Sequence, residues 1–374
     1  MSPALLLTAL VSTAGGIVTH GIFFLAHAAY GFGDVDNLWL AVALFVPYVP
    51  AALLAGKAAR RFGTRRALIG ANLLMILAGI VLATRPPELG LWIAAPLYNG
   101  AAGLFWPLVE GYIAGGRHGP GLHRAIGTFN LTWSATLAPA LWIVGFAGDD
   151  LLTTFSVLLA LHAVGAVAIT RLPADPAPLD HAAAAPVGLD YPLLLWSSRV
   201  ILPLGYLLLD ALSPLLPGVW ARAGVTGAMA AVLSSTWMVA RFFVFVLLSR
   251  WAGWRGRPAL LAVGAFVMLT SFALALGGGD AWVVLAGLAA FGIGQGAVYY
   301  AALYYGMAVG HGEVESGGRH EAVIGLGYLG GPALALVGLA VGVAPIHAVG
   351  TVATLGIAAG LAPWARRAAR VVRE

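Results

Sequence analysis

The chain has 374 residues, of which 60% are hydrophobic and 9% are charged, and its formal net charge is +5. Soluble domains carry about 25% charged residues, so a mean hydropathy of +0.91 excludes an ordinary soluble core and indicates many membrane spans. There is no cysteine, which excludes disulfides, thiolate metal sites and cysteine nucleophiles.

Twelve apolar runs follow one another along the chain, each close to the length of roughly 20 residues that crosses a lipid core. They cover residues 3–29, 38–55, 67–84, 90–114, 125–147, 151–170, 191–212, 228–249, 259–277, 281–306, 322–344 and 346–365. The runs are continuous and do not alternate with polar residues, so they predict helices and not the strands of a barrel. The first run has neither a charged leader nor a small-residue cleavage site, so 3–29 is expected to remain as a span.

The positive charges predict an orientation. With a cytoplasmic N-terminus, 16 of the 20 basic residues lie on the inner side; Arg85 and Arg222 fall outside, and Arg199 and Arg241 fall within spans. The outer loops are acidic instead: Asp34, Asp36, Glu88, Asp149, Asp150 and Asp280. Positive charge is retained on the cytoplasmic side, so both termini are predicted to be inside. Because the basic residues occupy short loops between spans, no nucleic-acid partner is predicted.

The longest inner loop, 171–190, is rich in Pro, Ala and Asp and is typical of a linker. It divides the chain into a six-helix bundle at 1–170 and a second at 191–365, followed by a basic tail at 366–374. The two parts resemble each other: Asn99–Gly103 in the fourth run corresponds to Gly292–Gly296 in the tenth.

A basic segment, GKAARRFGTRR at 56–66, stands between the second and third runs. Gly56, Arg61, Gly63, Arg65 and Arg66 resemble the loop signature of the major facilitator superfamily, Gly-x-x-x-Asp-Arg-x-Gly-Arg-Arg. Arg60 stands where the family has Asp, and the basic pair is shifted by one residue. The resemblance implies an all-α membrane protein of twelve helices in two pseudo-symmetric bundles, and gives this segment a gating role.

Ionisable residues within spans are the first candidates for function, because they cost about 2.5–3.5 kcal/mol each at mid-span. Arg241 lies near the middle of the eighth run and is predicted to bind an anionic or polar solute, or to lock two helices together. Glu110 and Glu321 are candidates for carrying a coupling proton, or for helix-terminal and structural pairing. His20 in the first run is a candidate for solute contact or for packing.

A second set of candidates is aromatic or amide in character. The resemblance implies that the first, fourth, seventh and tenth spans, with parts of the second, fifth, eighth and eleventh, line a central cavity. The candidates there are Phe24, Asn99, Trp106, Asn130, Trp133, Trp237, Gln295, Tyr299 and Tyr328. Aromatic walls with scattered amides suit an amphipathic organic solute, whereas the alternative for each residue is helix packing.

Together these features predict a secondary transporter that moves a small organic solute by alternating access, with proton coupling. Export of amphipathic compounds and uptake of a sugar or organic anion both stay open, as does a membrane protein that keeps the fold without transport. No P-loop, catalytic constellation or metal-ligand spacing is found, so no enzyme activity, cofactor or metal is predicted. The expected setting is a bacterial inner membrane, and the expected state is a monomer with a small-molecule substrate, protons and the lipid bilayer as partners.

Overall fold

The computed structural model describes residues 2–84, 86–117, 119–178, 190–309 and 314–371. These residues form twelve helical segments and, within those ranges, no strand. In chain order the segments are α1 (Pro3–Tyr30), α2 (Asp34–Phe62), α3 (Thr64–Ala83), α4 (Glu88–Ala114), α5 (Gly119–Ala147), α6 (Leu151–Thr170), α7 (Tyr191–Arg222), α8 (Ala228–Arg250), α9 (Ala259–Gly277), α10 (Ala281–Val309), α11 (Val314–Ala340) and α12 (Pro345–Val371). Arg85, most of the predicted linker 171–190 and the end of the predicted tail 366–374 lie outside the described residues.

Eleven of the segments in the described ranges are long and apolar enough to cross a membrane. The other one is α4, whose Pro96, Asn99, Pro107 and Glu110 lower its hydropathy, although its 27 residues still reach about 40 Å. Large apolar side chains are exposed on the outer surface, as lipid contact requires: Leu73, Phe146, Phe243, Phe266 and Trp282. The chain is therefore a multi-pass membrane protein with the predicted all-α architecture.

The connection between α2 and α3 differs from the prediction of a basic loop at 56–66. Helix α2 continues to Phe62 and α3 begins at Thr64, so the turn is the single residue Gly63, with φ at +82°. A side chain rarely adopts that backbone conformation, and glycine adopts it without steric cost. The second predicted run ends at Ala55 because the hydropathy of the sequence falls there. Arg60 and Arg61 are nevertheless good helix formers, and they extend the last turns of α2.

Four spans change their geometry midway. Residues Ile17–Gly21 of α1 form a π-helical turn. Helix α2 is interrupted at Val46–Pro47 between Asp34–Phe45 and Tyr48–Phe62, and α8 at Ser235 between Ala228–Ser234 and Thr236–Arg250. Helix α7 passes through a 3₁₀ turn at Ser213–Leu215 and continues to Arg222, beyond the predicted end at residue 212. Pro214 cannot donate to the helical ladder and gives the local reason for the 3₁₀ turn.

The first six helices, named here the N-half, and the last six, the C-half, meet chiefly through two helix pairs. Helix α2 packs along α11, and α5 packs along α8, while α4 also packs against α11. Exchanging the halves converts one pair into the other, because α2 corresponds to α8 and α5 to α11. Helices α3, α6, α9 and α12 pack only against their own half among the stronger contacts of the described residues. The space between the halves is therefore enclosed by the other eight helices.

Candidate solute-binding site

A cavity of about 100 Å³ lies between the two halves. Side chains from α1, α2, α4 and α5 line it on one side, and side chains from α7, α8, α10 and α11 line it on the other. Contacts between the halves are found beyond it in both directions. Towards the α2–α3 turn, α11 packs against α2 and α4; towards the opposite surface, the Asn37 amide donates to the Pro214 carbonyl at 3.2 Å and Arg222 pairs with Asp34 at 3.4 Å.

Arg241 on α8 is the most unusual side chain of the lining. It is 1% exposed, and its guanidinium carbon lies 4.4 Å from the ring centre of Trp133 and 4.5 Å from that of Trp237. Its Nη1 donates to Gln295 Oε1 at 3.3 Å, while Nε and Nη2 have no hydrogen-bond partner. A buried cation beside two aromatic rings is stabilised by them, but its open donors remain unsatisfied.

His20 faces Arg241 from α1. It sits in the π-helical turn at Ile17–Gly21, where the extra residue per turn changes the direction of the side chain. Its Nδ1 contacts Ser213 Oγ at 3.3 Å, and its ring meets Trp237 edge-on with centroids 5.2 Å apart. His20 thus joins α1 of the N-half to α7 and α8 of the C-half.

A pair of carboxyl groups crosses the interface between the halves. Glu110 on α4 and Glu321 on α11 face each other, and both line the cavity. Tyr48 on α2 donates its hydroxyl proton to Glu321 Oε2. Two facing carboxyl groups can share a hydrogen bond only when one of them carries a proton, so such a pair is able to hold a proton between the halves.

Aromatic rings form much of the remaining wall. Tyr328 stacks on Phe45 with centroids 4.5 Å apart and meets Tyr206 edge-on at 4.8 Å. Tyr299 meets Trp133 edge-on at 5.1 Å. Rings from both halves therefore interlock around the cavity, and they offer an apolar surface with phenolic hydroxyls at its edge.

Most of the residues predicted from sequence come together at this cavity. The lining includes His20, Asn99, Trp106, Glu110, Trp133, Trp237, Arg241, Tyr299, Glu321 and Tyr328. Gln295 lies behind Arg241 and positions it. Asn130 differs from the prediction, because it is turned away from the cavity and accepts a hydrogen bond from Trp133 Nε1 at 3.0 Å. Phe24 differs as well, since it lines a separate groove towards the opposite surface.

Sequence reasoning missed several lining residues. Tyr48 and Tyr206 lie within apolar runs, and Ser12 and Thr19 are small hydroxyl residues that occur on any membrane helix. The prolines at 47 and 50 beside Tyr48, and Pro203 before Tyr206, were the available signals of irregular helix in these places. Asp210, two residues before the end of the seventh apolar run, is fully buried, and neither of its carboxyl oxygens has a hydrogen-bond partner.

The predicted gating segment binds the chain that follows α6. Thr64 donates its N–H and its hydroxyl to Asp175 Oδ1, each at 2.8 Å. Arg65 donates its N–H to the Ala174 carbonyl at 3.0 Å and its Nη1 to the Leu172 carbonyl at 2.9 Å. Arg61 and Arg66 are exposed, and Gly56 is buried. The turn is thereby fixed to the first residues of the predicted linker. These residues directly follow α6, the last helix of the N-half, so the contacts do not reach the C-half.

No group of three or more His, Asp or Glu side chains that could hold a metal ion occurs among the described residues.

Solved membrane transporters share this arrangement of helices. The nucleoside transporter NupG superposes with a TM-score of 0.67 at 13% sequence identity, covering 96% of this chain and 98% of that chain. The human organic anion transporter MFSD10 (TETRAN) gives 0.67 at 16% identity, covering 95% and 96%. The fold is that of the major facilitator superfamily, as the 56–66 segment led us to expect. No protein-family model matches the chain, and no curated protein matches it in sequence.

Proposed function

We propose that this protein is a secondary transporter that carries a small organic solute across a membrane by alternating access. One observation carries the proposal: a cavity between two similar halves, lined by eight helices and containing a buried arginine with open donors. A site at that position becomes accessible from either side when the halves rock against each other. The shared fold with a nucleoside transporter and an organic anion transporter supports it.

We assign proton coupling to the carboxyl pair Glu110 and Glu321. The pair holds a proton across the interface, and loss of that proton leaves two negative charges in contact between the halves. Like charges in a buried site repel strongly, so deprotonation favours separation of α4 from α11. The other titratable groups that face the pair are hydroxyls of Tyr48 on α2, Tyr206 on α7, Tyr299 on α10 and Tyr328 on α11.

The predicted setting completes the proposal. The basic residues at the α2–α3 turn and at the end of α12 favour a cytoplasmic location for that surface, in a bacterial inner membrane with both chain termini inside. The transporting unit is the monomer, because both halves of the site come from one chain. The direction of transport is fixed by the solute and proton gradients.

Reconstitution in liposomes tests the proposal. Liposomes that contain the purified protein are loaded with a mixture of small organic acids, sugars and nucleosides, and retained solutes are measured over time by mass spectrometry. We expect at least one solute to leave faster than from protein-free liposomes, and Arg241→Ala to abolish that difference. Equal retention of every solute would show a membrane protein that has the fold without transport. The exposed Arg367 on α12 supplies the control variant, Arg367→Met.

Substitution of the carboxyl pair tests the coupling. Glu110→Gln and Glu321→Gln keep the size and the capacity for a hydrogen bond but cannot release a proton. We expect each variant to lose the stimulation of transport by a pH gradient and to keep exchange of solute between the two sides. Undiminished stimulation in both variants would assign coupling to another group, with the buried Asp210 as the next carboxyl to substitute.

A further inference from the structure

Building on the proposed function, we propose that the transported solute is an organic monoanion whose carboxylate binds the Nε–Nη2 edge of Arg241. The solute class is read from the arrangement of charge, donors and aromatic rings around this one side chain.

The open donors of Arg241 lie on a single edge of its guanidinium. Nη1 is occupied by Gln295 Oε1, whereas Nε and Nη2 have no partner, although the side chain is only 1% exposed. These two N–H groups point in parallel and match the spacing of two carboxylate oxygens, which forms a bidentate pair. Leaving both donors empty in a buried site is costly, so the geometry favours a ligand that accepts from both.

Two tryptophans pack against the same guanidinium. The ring centres of Trp133 and Trp237 lie 4.4 and 4.5 Å from its central carbon, and these contacts restrict its movement. Asn130 accepts from Trp133 Nε1 and fixes the ring from behind. The guanidinium is thus positioned before a ligand arrives, and the ligand's ordering cost is reduced.

No acidic side chain in the described part of the chain serves as the counter-ion. None of these carboxylates forms an ion pair with Arg241, and the two carboxyls that line the same cavity face each other instead. A single negative charge therefore suffices to balance Arg241. A second charge on the solute would face the Glu110–Glu321 pair, so a monoanion is favoured over a dianion.

A positively charged cleft lies next to the site, towards the surface that carries the chain termini. It has a volume of about 460 Å³ and is lined by Arg124 on α5 and by Arg255 after α8, with Asn130 also in its wall. Asn130 in turn contacts Trp133 of the central cavity. Arginines at the mouth raise the local concentration of anions, which fits an anionic solute.

Matched pairs of compounds test the charge without changing the shape. The central cavity is small against the roughly 300–1,000 Å³ of drug-sized sites, so suitable probes are propionate, lactate, benzoate and phenylacetate. Each is compared with its neutral amide by thermal unfolding and by equilibrium binding to the purified protein in detergent. We expect at least one carboxylate to raise the melting temperature and to bind about 10- to 100-fold more tightly than its amide, as a charge-assisted hydrogen bond predicts.

Variants of Arg241 assign any preference to this side chain. Arg241→Met is expected to remove the preference for carboxylate over amide. Arg241→Lys is expected to keep a reduced part of it, because lysine carries the positive charge but lacks the two parallel N–H donors of a guanidinium. Gln295→Leu keeps the charge and loosens the guanidinium, so it is expected to weaken carboxylate binding with little loss of stability. Arg367→Met is the control and should bind as the wild type does.

Three results would overturn the proposal. They are equal binding of every carboxylate and its amide, binding by no carboxylate at all, and an Arg241→Met variant that retains the preference. The liposome experiment separates these from the proposed function itself: transport of a neutral solute, with no carboxylate preference, would leave the protein a transporter and remove the anionic solute class.

Discussion

Two of the polar clusters buried within the spans differ in how completely their hydrogen bonds are formed. In the N-half, His162 on α6 contacts Asn72 Oδ1 through Nδ1 at 2.8 Å and the Tyr98 hydroxyl through Nε2 at 2.9 Å, while Asn72 Nδ2 donates to the His162 carbonyl. At the cavity, Arg241 has one hydrogen bond and two open donors.

The difference separates a structural role from a binding role. The His162 cluster satisfies its ring nitrogens and ties α3, α4 and α6 into one unit, which a rocking half requires. The Arg241 cluster carries a full charge and leaves part of it unpaired, at a cost that only a ligand offsets. Burial alone does not distinguish them, because both clusters are almost completely buried.

The largest effect is expected from Arg241→Ala. We expect transport to fall by about a hundredfold, which corresponds to about 2.7 kcal/mol, because the solute loses its charge partner. The melting temperature should stay equal to that of the wild type or rise, since a buried charge without a counter-ion is removed. Liposome flux and thermal unfolding measure the two quantities. A drop in stability together with normal flux would make Arg241 structural and erase the contrast between the clusters.

The opposite pattern is expected from His162→Ala. Removal of the imidazole leaves the Tyr98 hydroxyl and Asn72 Oδ1 without partners and opens a cavity, so stability should fall by about 2–4 kcal/mol. Flux per folded molecule should stay close to that of the wild type. Thermal unfolding and flux normalised to folded protein provide the test, and Tyr98→Phe gives a milder version. Loss of flux at unchanged stability would assign this cluster to transport.

A smaller effect is expected at the α2–α3 turn, which belongs to neither cluster. Neutralising Arg61 and Arg65 together, as Arg61→Gln with Arg65→Gln, should slow transport several-fold without loss of membrane insertion. The Arg65 side chain loses its bond to the Leu172 carbonyl, which holds the turn to the chain after α6. Flux and membrane yield are the measurements. Unchanged flux would mean that this segment sets the orientation of the chain in the membrane and has no part in gating.

The smallest effect is expected from Asp175→Asn. Hydrogen bonds from the Thr64 N–H and hydroxyl hold the pKa of the Asp175 carboxyl below its ordinary value. Because the pKa is lowered in the folded protein, this contribution is present above the ordinary pKa of aspartate and is lost as the pH falls through the lowered value. Hydrogen exchange at the Thr64 amide should be faster in the variant at neutral pH, and the difference should shrink in acid. An equal rate at neutral pH would mean that the carboxylate does not hold the turn.

Much of the cavity lining was accessible from sequence because charge within an apolar run is conspicuous. Arg241, Glu110 and Glu321 stand out because burying a charged side chain is costly. Aromatic residues on the same runs were therefore predicted to line the same cavity. Phe24 and Asn130 do not line the cavity as predicted. The position of a residue in an apolar run indicates its depth in the membrane, but it does not indicate towards which neighbour the side chain points. The π-helical turn at Ile17–Gly21 shifts the register around His20, and a uniform period of 3.6 residues cannot anticipate that shift.

The helical spans and the type of fold could be read from the amino-acid sequence, since both follow from hydropathy, charge and repeat length, which are local properties. The sequence could not show that Glu110 and Glu321, far apart along the chain, face each other, or that Trp133 and Trp237 both lie against Arg241. Such contacts depend on how α2 and α5 of one half pack on α11 and α8 of the other. That packing follows from the shapes of whole helix faces, and no single stretch of the chain encodes it.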